Sequence, residues 1–143
     1  MKLGFLTACL PGTGLEELVK WAAEHGFDAL ELAAWPVDAD RDYQGRQINA
    51  STMNRDEAQR IRELFREHRV DISALAYYDN NLHPDPSVRR RHHDHLRRVI
   101  DAAEMLGVEL VRTFLGARHD KTPAENMKEI GQVFHLHLVQ FRQ

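Results

Sequence analysis

The sequence predicts a parallel α/β fold, and more closely half of an α/β barrel. Three junctions share one pattern, in which a helix end is followed by a break, an apolar residue, an acid and a strand: EHGFDALEL (24–32), EHRVDISAL (67–75) and MLGVELVRT (105–113). Strands that alternate with helices form a parallel sheet covered by helices. The junctions lie about 40 residues apart, and a complete barrel of eight units needs about 250 residues. A chain of 143 residues is therefore expected to hold four βα units, with the helices on the outer side of the sheet.

Each predicted element has a local signal. Strands are predicted where short apolar runs end at polar loops, over residues 3–8, 29–33, 70–77 and 108–114. Each helix begins with a capping residue, whose side chain satisfies a free backbone amide. These signals are Thr13 with Glu16, Asn54 with Glu57, Asp85 before a proline, and Thr122 with Glu125. The first three helices are predicted to end at the breaks, which are Gly26, Arg69 and Gly107.

Two segments carry further expectations. Residues 34–53 have no periodicity and are predicted to form a long loop, which in a compact domain usually serves a site or a cover. The fourth helix is expected to bury one apolar stripe, made of Met127, Ile130, Phe134, Leu138 and Phe141.

Composition excludes several classes of protein. Hydrophobic content of 43% and charged content of 29% are typical of a soluble globular protein. The net charge of −3 gives no general attraction to nucleic acid or to an anionic membrane. A single cysteine excludes an intrachain disulfide framework and a Cys-rich zinc module. The first twelve residues are interpreted as a barrel strand rather than a signal peptide, so a cytoplasmic location is expected.

Candidate site residues follow the ends of the predicted strands, because loops at the carboxyl ends of parallel strands converge on one face. Glu31 in strand two can bind a sugar hydroxyl or transfer a proton, or it can form a structural ion pair with Arg112. Trp35 can form the wall of a ligand pocket, or it can anchor its loop. Arg112 can hold a phosphate or carboxylate, although a solvated or ion-paired arginine is the commoner outcome.

The loop YYDNNLHPD after strand three is the richest segment in polar side chains. Tyr78, Asn80 and His83 offer hydroxyl, amide and imidazole groups that can orient a polar ligand. The alternative is a turn that bonds to itself, with His83 at the start of the next helix. His92, His93 and His95 follow in a basic run, and we expect them to be solvated surface rather than metal ligands.

Four stretches resemble the sugar phosphate isomerase/epimerase family of xylose isomerase-like TIM barrels. They are KLGFLTACLPGTGLEELVKWAAEHGFDALELAAWP (2–36), ALAYYDNNLHPD (74–85), AAEMLGVELVRTFLG (102–116) and KTPAENMKEI (121–130). LELAAWP and YYDNNLHPD are the most specific of these motifs. The resemblance covers residues 1 to about 134.

The resemblance implies a metal-dependent isomerase or epimerase that acts on a small sugar or sugar phosphate through an enediolate. Such an enzyme would use a divalent ion, Mn, Mg, Co or Zn. In the family the metal ligands come from strands five to eight, which have no counterpart here, so we expect this chain to bind no metal. The matching positions here are expected to form the substrate-binding pocket wall: Glu31, Trp35, Tyr78, Asn80 and His83.

Residues 1–143 are thus expected to form one incomplete barrel domain, a truncated form of the enzyme. The first alternative is a non-catalytic half-barrel that pairs with a second half. The second is a phosphodiesterase like endonuclease IV, which is disfavoured because residues 74–78 and 112–116 hold no histidine. Open edges at strands one and four are expected to favour a homo-oligomer or aggregation. No nucleic-acid or membrane partner is expected.

Overall fold

The structure, a computed structural model, describes residues 1–37 and 46–140, and for residues 135–140 it describes the backbone alone. The strands are β1 (Gly4–Leu6), β2 (Ala29–Ala33), β3 (Asp71–Tyr77) and β4 (Val111–Thr113). The helices are α1 (Leu15–Glu24), α2 (Arg55–His68), α3 (Pro86–Leu106) and α4 (Pro123–Gln140). None of the helices in these described residues has the length and apolar character needed to cross a membrane.

The four strands form one parallel sheet in the order β1-β2-β3-β4. This arrangement confirms the predicted fold class, a parallel sheet of four βα units with four helices, as in part of a TIM barrel. A register shift between Leu30 and Glu31 inserts one extra β3 residue, so Leu30 pairs with Ile72 and Glu31 with Ala74. The first and last strands are shorter than predicted, because the chain turns into a 3-10 helix at Thr7 and reaches the β4 ladder only at Val111.

The chain divides into two compact units, and each is described separately. The first unit contains residues 1–78 and 94–113, which include the whole sheet, α1, α2 and the later part of α3. The second unit contains residues 79–93 and the residues from 114 onward, which include the start of α3 and all of α4. That residues 1–143 form a single domain stays a prediction.

The core of the first unit lies between one face of the sheet and the helices. Leu32 of β2, Leu75 of β3 and Val111 of β4 are register partners and therefore share this face. The apolar residues of α1, α2 and α3 complete the cluster: Val19, Ala22, Ala58, Ile61, Phe65, Leu96, Val99 and Leu106. Each fully buried leucine of this kind contributes about 1.5–3 kcal/mol.

The three helix-to-strand junctions have the same geometry, as predicted. Gly26, Arg69 and Gly107 all take positive φ angles, 76°, 57° and 69°. One residue later, the backbone N–H of Phe27, Val70 or Val108 donates to a carbonyl five residues back, at 2.9, 3.1 and 2.9 Å. This bond satisfies one of the free carbonyls of the last helical turn. The strand begins one to three residues after this bond, at Ala29, Asp71 or Val111.

Three of the four predicted helix starts are confirmed. Asn54 accepts from the N–H of Glu57 at 2.9 Å, and Asp85 caps α3 through the N–H of Ser87 at 2.7 Å. Thr122 and Glu125 form the reciprocal pair, with bonds of 2.8 and 3.3 Å. The prediction that Thr13 and Glu16 cap α1 is wrong. Gly14 is the N-cap without any side-chain bond, because Glu16 instead pairs with Lys20 at 2.8 Å.

The predicted stripe of α4 is partly wrong. Met127 is 64% exposed, and the buried position is Asn126, whose amide bonds the backbone of residues 118, 121 and 122. A polar side chain holds this end of the helix because the preceding loop leaves carbonyls that need a donor. Leu138 and Phe141 lie outside the described side chains. In the predicted 34–53 loop, residues 38–45 lie outside the described part, and Ile48 and Ala50 are buried.

Candidate functional site

The sheet face opposite the helices carries an ion pair that spans three strands. Glu31 and Ala74 are register partners, as are Ala76 and Arg112, so these four residues share one face. Strands two apart lie about 10 Å from each other. Because alanine has no side chain beyond Cβ, Arg112 reaches across β3, and its Nη1 donates to Glu31 Oε2 at 2.7 Å. The structural ion pair considered from the sequence is therefore present.

Tyr78 completes this arrangement from the end of β3. Its hydroxyl donates a hydrogen bond to Glu31 Oε1, so each oxygen of the carboxylate has a donor. The Glu31 side chain is only 9% exposed, whereas the Arg112 side chain is 54% exposed. The hydroxyl of Tyr78 and the guanidinium of Arg112 thus hold the buried carboxylate from two sides.

The phenol of Tyr78 holds its proton unusually strongly. Burial, followed by the hydrogen bond to Glu31 and the charge of that carboxylate, raises the pKa of Tyr78 to about 12. At neutral pH the hydroxyl is therefore protonated and its hydrogen points at Glu31. Tyr78 can still accept a hydrogen bond on its oxygen lone pairs, but it cannot serve as a general base at that pH.

Trp35 lies beside Tyr78 and has an unused donor. Its ring centroid is 5.8 Å from that of Tyr78 at an interplanar angle of 58°. The residue is 3% exposed, and its indole Nε1–H is buried with no hydrogen-bond partner among the described residues. An unpaired buried donor costs about 1–3 kcal/mol. A loop anchor would not require this cost, whereas a ligand acceptor would remove it. We name Glu31, Trp35, Tyr78 and Arg112 the polar wall.

Two members of the polar wall, Glu31 and Arg112, border a cavity of the first unit, whereas Trp35 and Tyr78 are not among its lining residues. Both Glu31 and Arg112 line a cavity of about 1120 Å³. The remaining lining comes from the amino ends of the strands, the loops before them and the last turns of α2 and α3, including Gly4, Asp71, Phe65 and Leu106. The sheet face that carries the ion pair therefore borders a space large enough for a small ligand.

Asn80 and His83, the other two predicted site residues, belong to the second unit. The Asn80 side chain accepts from the N–H groups of Leu82 (3.0 Å) and Ala117 (3.1 Å) and donates to the Ala117 carbonyl (2.9 Å). His83 Nδ1 accepts from the N–H of Asp85 at 3.2 Å. Both side chains thus take part in the self-bonded turn before α3. Their contact with a ligand stays a prediction, while Glu31, Trp35 and Tyr78 come together in the first unit.

The expectation of a solvated histidine surface is wrong for His95. This residue is 6% exposed, and its Nε2 contacts the Ala34 carbonyl at 2.7 Å. His92 and His93 are half-buried, with ring nitrogens 3.0 and 2.8 Å from the carbonyls of residues 80 and 81. The signal for His95 was its helical spacing, since it lies four residues before the buried Val99.

A separate charge cluster organises the second unit. Glu129 contacts Lys121 at 2.5 Å, Arg89 at 3.7 Å and Arg118 at 3.9 Å. The hydrogen bond from Lys121 is the main cause that lowers the pKa of Glu129. Arg118 also forms two bonds to Asp120, at 3.1 and 2.6 Å. Arg118 is therefore ion-paired.

The described residues do not fit a metal centre. In residues 1–37 and 46–134, no three side chains of His, Cys, Asp or Glu come together as metal ligands. Glu31, the carboxylate of the polar wall, has both oxygens engaged by Arg112 and Tyr78. We therefore derive no reaction step through a metal from these residues.

A family model described as xylose isomerase-like TIM barrel matches residues 19–139. Among solved structures, a probable 3-DHS dehydratase from Bacillus anthracis, AsbF, is 19% identical with a TM-score of 0.65, over 95% of this chain and 48% of that one. A xylose isomerase domain protein from Planctomyces limnophilus is 15% identical with a TM-score of 0.63, over 93% and 47%. An IolI protein with a bound zinc atom is 20% identical with a TM-score of 0.61, over 93% and 47%.

The identities in these structural comparisons are low, so the structures support the fold alone. The chain spans about half the length of each of the three. No curated protein gives a significant match.

Proposed function

Because the chain belongs to the xylose isomerase-like TIM barrel family, we propose that it supplies the substrate wall of an isomerase or epimerase acting on a small sugar or polyol. The observation that carries the proposal is the indole Nε1–H of Trp35, which is buried beside the Tyr78–Glu31 pair and has no hydrogen-bond partner in the part of the chain that the structure describes. Trp35 and Tyr78 follow the carboxyl ends of β2 and β3, where ligand sites form in parallel α/β folds.

The polar wall offers what a sugar hydroxyl needs. A hydroxyl group both accepts and donates a hydrogen bond. It can accept from Trp35 Nε1–H and donate to the Tyr78 oxygen, whose own proton is held by Glu31. The faces of the two aromatic rings can contact the apolar C–H surface of the sugar. These contacts favour a polyhydroxylated ligand over an apolar one.

The wall binds and orients the ligand rather than transferring a proton. Both oxygens of Glu31 already accept hydrogen bonds. The pKa of Tyr78 is raised to about 12, so its hydroxyl keeps its proton at neutral pH. The groups that move a proton next to the sugar carbonyl are therefore proposed to lie outside the polar wall. We propose that the divalent metal expected for the family also lies outside the polar wall. The IolI structure contains a zinc atom.

Charge bears on the choice between a sugar and its phosphate. The positive charge of Arg112 and the negative charge of Glu31 compensate each other at 2.7 Å, and Tyr78 is neutral. A wall without net charge suits a neutral sugar at least as well as a phosphorylated one.

A ligand panel tests the proposal on the chain itself. Ligand-observed NMR would compare D-xylose, D-fructose, myo-inositol, a sugar phosphate and a DNA duplex with an abasic site. We expect binding of the sugars or of inositol. Trp35→Phe keeps an aromatic ring but removes the donor, so affinity should fall about 2- to 12-fold, the value of one hydrogen bond.

Trp21→Phe is the matched control, because Trp21 is 40% exposed and lies away from the wall, in contact with Phe5, His25 and Phe27. Its affinity should equal that of the parent chain. Equal binding by Trp35→Phe would show that Trp35 is a loop anchor. Binding of the abasic duplex alone would favour the phosphodiesterase alternative, and binding of none of the panel would favour a non-catalytic half-barrel.

A further inference from the structure

His95 reaches from α3 to the backbone at the end of the sheet. It is 6% exposed, although it lies in a strongly basic stretch of the helix. Its Nε2 lies 2.7 Å from the Ala34 carbonyl oxygen. Because a carbonyl only accepts hydrogen bonds, Nε2 carries the hydrogen and donates it. The ring also meets Tyr77 edge-on, with centroids 4.6 Å apart at 65°.

His95 contacts Ala34 and Tyr77. Each of these residues is followed in the chain by an aromatic residue of the polar wall. Ala34 precedes Trp35, and Tyr77 precedes Tyr78. Successive side chains of an extended chain point to opposite faces of the sheet. A residue that holds positions 34 and 77 from the helix-covered face therefore fixes positions 35 and 78 on the other face.

The bond to Ala34 fixes the peptide group from which Trp35 extends. The carbonyl of Ala34 belongs to the same planar peptide unit as the Trp35 nitrogen. On its other side, the Ala34 N–H donates to the Ala76 carbonyl at 3.0 Å and continues the β2–β3 ladder. With both groups bonded, the orientation of the backbone entering Trp35 is determined.

We propose that His95 is a positioning residue, which sets the spacing between Trp35 and Tyr78 from behind the sheet. This inference rests on the proposed function, in which those two side chains contact the ligand. His95 itself touches no ligand. It acts through the Ala34 carbonyl, with its ring against Tyr77 as a support.

Two substitutions separate this role from that of a simple core residue, because each keeps one of the two contacts. His95→Gln keeps an N–H donor for the Ala34 carbonyl and loses the aromatic ring. His95→Phe keeps a ring against Tyr77 and loses the donor. A core residue that only fills space should tolerate phenylalanine better than glutamine, whereas a positioning residue should show the opposite order.

The readout is the fluorescence of Trp35 in a Trp21→Phe background. The chain has two tryptophans, so Trp35 is then the only one, and a Trp35→Phe chain supplies Trp21, 40% exposed, as the reference for an accessible indole. We expect His95→Gln to keep the parental emission maximum and acrylamide quenching constant. In His95→Phe the emission should shift to the red and the quenching constant should rise toward the Trp21 reference, with an unchanged far-UV circular dichroism spectrum.

The outcome for His95→Gln decides the question even where His95→Phe does not fold. A glutamine variant in which Trp35 loses its shielding would overturn the proposal, and so would a folded phenylalanine variant with parental fluorescence. The test uses no ligand, so its failure is separate from failure of sugar binding by the parent chain, which would overturn the proposed function instead.

Discussion

The ion pair between Arg112 and Glu31 should stabilise the first unit more than a surface pair of similar length does. Arg112→Met removes the charge and keeps most of the side-chain stem, and Glu31→Gln removes the charge of the carboxylate. Together with the double variant they form a double-mutant cycle, which isolates the energy of the pair from the separate effects of each change.

The burial of the two side chains sets the expected coupling free energy of the pair. Removing one partner of a fully buried pair costs about 3–5 kcal/mol, and an exposed pair contributes about 0–1 kcal/mol. The Glu31 side chain is 9% exposed and that of Arg112 54% exposed, and Tyr78 still donates to the carboxylate when Arg112 is lost. We therefore expect an intermediate coupling free energy of about 1–2 kcal/mol.

Urea unfolding followed by circular dichroism gives the free energy of unfolding for each chain. The matched control is Lys20–Glu16, which has nearly the same length, 2.8 Å against 2.7 Å, but side chains 51% and 70% exposed. Its coupling should stay below about 0.5 kcal/mol. If the Arg112–Glu31 coupling is no larger than that of the control, burial does not strengthen this pair and the reasoning is refuted.

Three further results are expected. The folded pKa of Tyr78, about 12, lies above the ordinary value of about 10. Tyr78 should therefore add stability below pH 10, and this stability should be lost as the pH rises toward 12. Tyr78→Phe should abolish the loss in alkaline unfolding curves. Lys121 lowers the pKa of Glu129, so Glu129→Gln should be less stable than the parent at pH 7. The difference should shrink as the pH falls through that lowered pKa, below the ordinary value of about 4.3 for glutamate; a difference that does not shrink on acidification would be inconsistent with this ion pair. Among the described residues β1 and β4 are the edge strands of the sheet. Such edges should drive association, so light scattering should report dimers or larger species, and a stable monomer at high concentration would contradict this.

The sequence predicted the fold well because its signals are local. A left-handed break followed by an apolar residue and a strand is set by neighbouring residues, and all three junctions have this geometry, including Arg69, which has no glycine to assist it. The helix caps at Asn54 and Asp85 depend on residues two or three positions away. Such contacts form largely independently of the rest of the fold.

The site was predicted less completely, because its contacts join distant parts of the chain. The ion pair between Glu31 and Arg112 spans 81 positions, and the bond from His95 to Ala34 spans 61. Charge patterning placed His95 on a solvated surface, whereas helical spacing put it on the buried face. The predicted cap at Glu16 was wrong because Lys20, four residues later, competes for its carboxylate, which therefore does not cap α1.

In the function that we propose, the buried indole N–H of Trp35 donates to a hydroxyl group of a small sugar or polyol. Two indole N–H resonances are expected in a ¹H–¹⁵N spectrum of the chain, one for each tryptophan, and Trp35→Phe assigns them. Titration with the sugar that binds best should move the Trp35 resonance in a saturable way and leave that of Trp21 in place. A Trp35 resonance that stays fixed while the sugar binds, or two resonances that move alike, would contradict the account.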